Sequence, residues 1–127
     1  MIQEVTTVSK KILIVDDMTS VRMLVRMLLQ GEQFQMDEAV NGKDALEKIA
    51  HGVPPDLIIM DVMMPEMNGI DCCKEIGVRY PGLPVVMLTT KGEESYVEMA
   101  KEAGARAYLT KPVRRIELLV KIKDLLK

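Results

Sequence analysis

At 127 residues, with 48% hydrophobic and 28% charged side chains, the chain has room for one domain with a substantial core. A net charge of −2 excludes a general electrostatic pull on nucleic acid or acidic membrane, and no apolar run approaches the length of a membrane span. The N-terminus lacks the basic-then-apolar layout of a secretory signal, so a cytoplasmic location is expected.

Residues 1–10 are polar and unpatterned and read as a flexible leader to a single domain over 11–127. The first strand is expected at 11–15, apolar from Ile12 and closed by Asp16-Asp17. Thr19 or Ser20 can cap a helix to about residue 30, with Val21, Leu24, Val25 and Leu28 inward and Arg22 and Arg26 outward, ended by Gly31. Residues 34–40 form a weaker strand with polar residues interleaved, which suits a sheet edge. Asn41-Gly42 turns the chain into a second helix carrying Ala45, Leu46 and Ile49, broken by Gly52, Pro54 and Pro55.

The next stretch organises the chain. Leu57, Ile58, Ile59 and Met60 are consecutive apolar residues, as in a strand buried on both faces, and Asp61 follows them directly. Pro65 and Asn68-Gly69 then stop the strand and open a third helix through Ile70, Cys73 and Ile76, expected to close near Gly77. Pro81-Gly82 marks a turn before a fourth strand, 85–88, which ends at Thr89-Thr90. A fourth helix over about 93–103 carries Tyr96, Ala100 and Ala103 on one stripe and stops at Gly104. A short fifth strand is expected at 105–109, before Lys111-Pro112, and a last helix over about 114–126, with Ile116, Leu119, Val120 and Ile122 as its apolar side. Strand and helix alternate five times, the pattern of a doubly wound α/β fold: a five-stranded parallel sheet with helices on both faces.

Only four residues are aromatic, so the core is expected to be aliphatic, filled out by the eleven methionines. Adjacent Cys72 and Cys73 suit neither a disulfide nor a zinc site and read as reduced helix residues.

Four of the five strands end in something chemical: Asp16 and Asp17, Asp61, Thr89, and Lys111. In a parallel sheet these ends share one edge, where open α/β sheets place their ligands. Taken singly, the acids could be helix caps, Thr89 a strand-end hydroxyl and Lys111 a solvated charge. Taken together they make a site. Three carboxylates brought close must hold a proton or recruit a cation, and oxygen donors with room for water suit Mg²⁺. Lys111 and Thr89 supply a charge and a hydroxyl donor for a phosphoryl group, and Asp61 is a plausible nucleophile towards phosphorus.

These motifs carry a family resemblance. ILIVDD at 12–17, AVNGKDALE at 39–47, DVMMPEMNG at 61–69, VVMLTT at 85–90 and YLTKP at 108–112 resemble a bacterial response-regulator receiver domain over nearly all of 11–127. The resemblance implies a flavodoxin-like three-layer sandwich with strand order 2-1-3-4-5. It implies phosphorylation of Asp61 by a sensor histidine kinase or phosphotransfer protein. Mg²⁺ would be bound by Asp17, Asp61 and the backbone carbonyl of Met63, with Asp16 acting mainly through water. Lys111 would contact the phosphoryl group, and the Lys111-Pro112 bond would be cis. Thr89 would be drawn towards the phosphoryl group and Tyr108 would swing inward, altering the face made by the fourth helix, fifth strand and fifth helix. The output goes to a protein target or to an effector domain absent from this sequence. Neither nucleic acid nor membrane is expected as a direct partner, and no catalysis is expected beyond self-phosphorylation from small phosphodonors and slow self-dephosphorylation.

Four positions depart from the family's usual pattern or bear on the phosphoryl lifetime. Thr90 stands where a very small residue is usual and crowds the approach to Asp61. Met63, with no strong hydrogen-bonding group, and Lys91, with donors only, would by resemblance flank the hydrolytic water, so a long-lived phosphorylated state is expected. After Lys111-Pro112 the family commonly has phenylalanine, and here it is Val113. Six basic and two acidic residues lie between Lys111 and Lys127, read as a solvated helix face, and without the charge pattern of receivers that dimerise ahead of winged-helix domains. The stretch 18–29, by contrast, resembles single-domain chemotaxis receivers. Two rival readings fare worse. A haloacid-dehalogenase-type phosphatase needs two acids one residue apart, and Asp16 and Asp17 are adjacent. A flavodoxin-like cofactor binder needs a hydroxyl- and glycine-rich phosphate loop where these acids stand.

Overall fold

A computed structural model describes residues 9–90 and 94–127. The expected contributions of Lys91 and of the Thr90 side chain therefore lie outside what is described. Ten elements alternate: β1 (Lys11–Val15), α1 (Thr19–Leu28), β2 (Gln35–Ala39), α2 (Gly42–His51), β3 (Leu57–Asp61), α3 (Gly69–Arg79), β4 (Val85–Thr90), α4 (Glu94–Glu102), β5 (Ala107–Lys111) and α5 (Arg115–Leu125). The strands form one parallel sheet in the order β2-β1-β3-β4-β5, so the expected fold class and strand order are observed.

Strand alternation sorts the core into two layers. Leu13, Val15, Ile58, Met60, Val85 and Met87 face one layer, which they share with Ala45, Ile49, Cys73, Ile76 and Ala100 of α2, α3 and α4. Ile12, Ile14, Leu57, Ile59, Val86 and Leu88 face the other, with Val25 of α1 and Leu118 and Ile122 of α5. Strand β3 is buried at all five positions, including Asp61. Each fully buried aliphatic side chain there contributes roughly 1.5–3 kcal/mol. The strand that ends in Asp61 is thus anchored by burial along its whole length. Both cysteines are free and buried, with Cys72 pushed up to about 12 and Cys73 to about 11 by burial, so both stay as thiols.

Local chemistry sets the element ends. Asn41 and Asn68 cap α2 and α3 by accepting from the amides of Asp44 and Asp71. Gly69 is required by close approach: a Cβ there would lie 2.1 Å from the carbonyl oxygen of Asp61. Neither Thr19 nor Ser20 caps α1. Its N-cap is Met18, and the Asp16 carboxylate accepts the Met18 amide at 2.9 Å instead.

The helical faces differ from expectation in two places. Arg22 is buried and Leu24 is 44% exposed, the reverse of the expected arrangement, because α1 packs through the spacing Arg22, Val25, Leu29. In α5, Leu118, Leu119 and Ile122 are buried while Ile116 and Val120 are exposed. Apolar residues cover more than half of that helix, so periodicity alone could not fix its inner face. Helix α3 runs through Gly77 to Arg79, and β5 starts two residues later than expected, because Ala105 first closes α4 by donating to the carbonyl of Ala100. Of the methionines, Met60, Met64 and Met87 fill the core, but Met18, Met23, Met27, Met63 and Met99 are exposed.

Candidate functional site

The alternation that sorts the core also aims the strand-end residues. Asp61 follows the parity of Leu57 and Ile59, Lys111 that of Leu109, and Asp16 that of Ile12 and Ile14, so all three lean towards the α1/α5 layer. Thr89 follows Val85 and Met87, and Tyr108 sits opposite Met87, so these two lean towards the α2/α3/α4 layer.

On the first side the polar groups meet. The Lys111 ammonium donates to Asp61 Oδ1 at 3.1 Å and to Asp16 Oδ2 at 3.4 Å. Asp16, Asp17 and Asp61 each present a carboxylate oxygen within 4.8 Å of the others, with Asp16 and Asp61 buried and Asp17 exposed. Burial, and then the charge of Asp16, raise the Asp61 carboxyl above its ordinary value of 3.8, with Lys111 pulling the other way. Burial lowers Lys111, but its hydrogen bond and charge attraction to Asp61, together with Asp16, outweigh this and leave it above 10.5. The acids thus sit under mutual strain that one ammonium only partly relieves. That arrangement fits a hard divalent cation with oxygen ligands, Mg²⁺ being the one that keeps water and shares sites with phosphate.

On the second side a polar group stands alone. Thr89 is 3% exposed and its Oγ1 has no hydrogen-bond partner among the described residues. A buried hydroxyl without a partner is unfavourable and calls for an explanation. Tyr108, one strand away, is half-buried beside a cavity of about 80 Å³ lined by Ala100, Lys101 and Ala105. The Lys111-Pro112 peptide bond is cis. Met63 lies in the loop after Asp61 and is 57% exposed.

One participant escaped the sequence reading. Arg22 donates from Nη1 to the backbone carbonyl of Asp16 at 2.6 Å, from Nε to Glu38 Oε1 at 2.7 Å and from Nη2 to Thr19 Oγ1 at 3.2 Å. Arg26 bonds the other oxygen of Glu38. These arginines, Arg26 first, hold the Glu38 carboxyl below its ordinary 4.5. The available signal was its spacing, three before Val25 and seven before Leu29, which puts Arg22 on the buried stripe of α1.

Comparison with known proteins agrees with the geometry. The family model described as the response regulator receiver domain matches residues 12–123. The chain is 42% identical over 119 residues to the transcriptional regulatory protein ResD of Bacillus subtilis, covering 92% of this chain and 48% of ResD. It is 38% identical over 119 residues to the alkaline phosphatase synthesis transcriptional regulatory protein PhoP of the same organism, covering 94% and 49%. It spans about half the length of these curated relatives. Among solved structures, the chemotaxis protein CheY4 of Vibrio cholerae superposes with a TM-score of 0.85 at 33% identity, covering 94% of this chain and 100% of that one. A CheY-like receiver domain protein from Methanospirillum hungatei gives 0.86 at 31%, covering 94% of each. With the strand order, the acid cluster and the matched residues in agreement, the chain belongs to the response regulator receiver domain family of two-component systems.

Proposed function

We propose that Asp61 is the phosphoacceptor of this receiver domain and that Thr89 and Tyr108 convert its phosphorylation into a change of the α4-β5-α5 face. The observation that carries the reading is Lys111 reaching both Asp16 and Asp61 within a cluster of three acids at one sheet edge. An Asp61 oxygen attacks phosphorus, the bond from phosphorus to the donor's histidine nitrogen breaks, and that nitrogen leaves with the electron pair. Asp17, Asp61 and the backbone carbonyl of Met63 are assigned to hold Mg²⁺. Asp16 is better suited to an indirect role, since its two oxygens already serve Met18 and Lys111. Bound Mg²⁺ supplies neutralisation of the carboxylate and phosphoryl oxygens. Lys111 then serves the phosphoryl group as a point charge.

A phosphoryl group on Asp61 offers Thr89 the acceptor it lacks, and Tyr108 has a cavity beside it to take up the resulting space. The donor is a sensor histidine kinase or phosphotransfer protein, and the output goes to a protein target or an attached effector domain. Two matched relatives are named transcriptional regulatory proteins, which supports an output in transcription. Among the described residues no helix is long and apolar enough to cross a membrane.

Incubation with an acyl phosphate and Mg²⁺, followed by peptide mass spectrometry, should place one phosphoryl group on Asp61 and none on Asp61→Asn. Labelling of Asp61→Asn at the wild-type rate would falsify the assignment. The decay of the same label tests the lifetime. Met63 offers no strong hydrogen-bonding group and Lys91 only donors, so Met63→Asn with Lys91→Glu should speed hydrolysis. An unchanged decay would remove Met63 and Lys91 from the account.

A further inference from the structure

Arg22 is the only basic side chain among the described residues that is buried, at 9% exposure. A buried guanidinium is unfavourable unless its donors are matched, and here Nε, Nη1 and Nη2 each find an acceptor. The acceptors explain its place. Glu38 lies on the edge strand β2 and spans Arg22 and Arg26 with its two oxygens. Arg26 is anchored further by donating to the carbonyl of Met36 at 3.3 Å. From this base the fork of Arg22 reaches the carbonyl of Asp16. The amide of Asp16 is held from the same edge strand, donating to the carbonyl of Ala39 at 3.2 Å. The Asp16 carbonyl belongs to the peptide plane that leads into Asp17, so fixing it fixes where both acids point.

We propose that Arg22, braced by Glu38, is a positioning residue for the metal site: it fixes the Asp16–Asp17 peptide so that both carboxylates converge with Asp61. This rests on the reading of the three acids as a Mg²⁺ site. Two effects of Arg22 have opposite signs, which makes the inference testable. As a charge near the acids, its guanidinium opposes a bound cation, so losing it should tighten Mg²⁺ binding. As a brace, losing it should weaken binding, as loss of a ligand-orienting partner does elsewhere by about tenfold or more.

The experiment is a Mg²⁺ titration of the full chain followed through the amide NMR signals of Asp17 and Val62, for wild type, Arg22→Met and Arg22→Lys. Ile122→Val serves as a control that loosens the core away from the acids. Arg22→Lys keeps the charge and loses the fork, and it carries the test if Arg22→Met fails to fold. Both Arg22 variants should bind Mg²⁺ about tenfold more weakly. Ile122→Val should melt earlier yet bind as wild type does. Unchanged or tighter binding by the Arg22 variants overturns the brace while leaving the metal site intact. A wild-type protein with no saturable response overturns the metal site, and the brace with it.

Discussion

The two sides of the sheet meet at one edge and are built on opposite terms. On the α1/α5 side the polar groups are partnered: Asp16 by Met18 and Lys111, Asp61 by Lys111, Arg22 by three acceptors. On the α2/α3/α4 side Thr89 buries a hydroxyl with no partner among the described residues, and Tyr108 borders a small cavity. The first arrangement holds charge in a fixed place. The second leaves a polar group and a volume available for a new state. A buried hydroxyl with an unmet hydrogen bond is a group that a newly placed acceptor can stabilise in a second state. On the proposed function, charge binding falls to the first side and the response to the second.

Metal gives the largest expected effect and bears on the charged side alone. At a hundredfold excess over its dissociation constant, Mg²⁺ should stabilise the fold by about 2.7 kcal/mol through linkage. Asp17→Ala, at an exposed position, should fold normally and lose that gain, as read from melting curves with and without Mg²⁺. A wild-type curve indifferent to millimolar Mg²⁺ would remove the metal platform from the comparison.

A smaller effect of the opposite kind is expected at Thr89. Replacing a buried, unpartnered hydroxyl by a methyl group relieves a desolvation cost, so Thr89→Val should raise the stability of the unphosphorylated protein by about 1 kcal/mol. Denaturant titration measures it. A loss of similar size would mean that the hydroxyl is satisfied in solution and that the two sides do not differ as described.

The smallest effect depends on pH. The Glu38 carboxyl is held below 4.5 by Arg26 and Arg22, so its ion pairs contribute fully above pH 4.5 and are lost as pH falls through the lowered native value. The carboxylate is 30% exposed and Arg26 40%, which limits the contribution to about 0.5–1 kcal/mol. Glu38→Gln should cost that much near pH 7, progressively less below pH 4.5 and nothing once Glu38 is protonated in both states. A cost that persists unchanged into strong acid would place its origin outside the ion pairs.

Much of this contrast was legible in the sequence. The run at 57–60 fixed the central strand, and the acids, Thr89 and Lys111 declared themselves as strand-end chemistry because a parallel sheet gathers its carboxyl ends. The brace was not legible, because a charged residue on a helix is solvated far more often than buried, and its acceptors come from residues 16 and 38 by tertiary contact. The inner face of α5 was hidden for the opposite reason: Ile116, Leu118, Leu119, Val120 and Ile122 spread apolar residues over more than half of the helix. The missing partner of Thr89 is a property of the packed structure that no local pattern encodes.

The division between a fixed side and a responsive side can be tested directly by NMR at saturating Mg²⁺, before and after addition of an acyl phosphate. The reporters are the Thr89 methyl, the Tyr108 ring and the Nε–H of Arg22. Phosphorylation should shift the Thr89 and Tyr108 signals while the Arg22 signal stays in place, and Asp61→Asn should show no change at all. Movement of the Arg22 signal with Thr89 and Tyr108 unaffected would contradict the account.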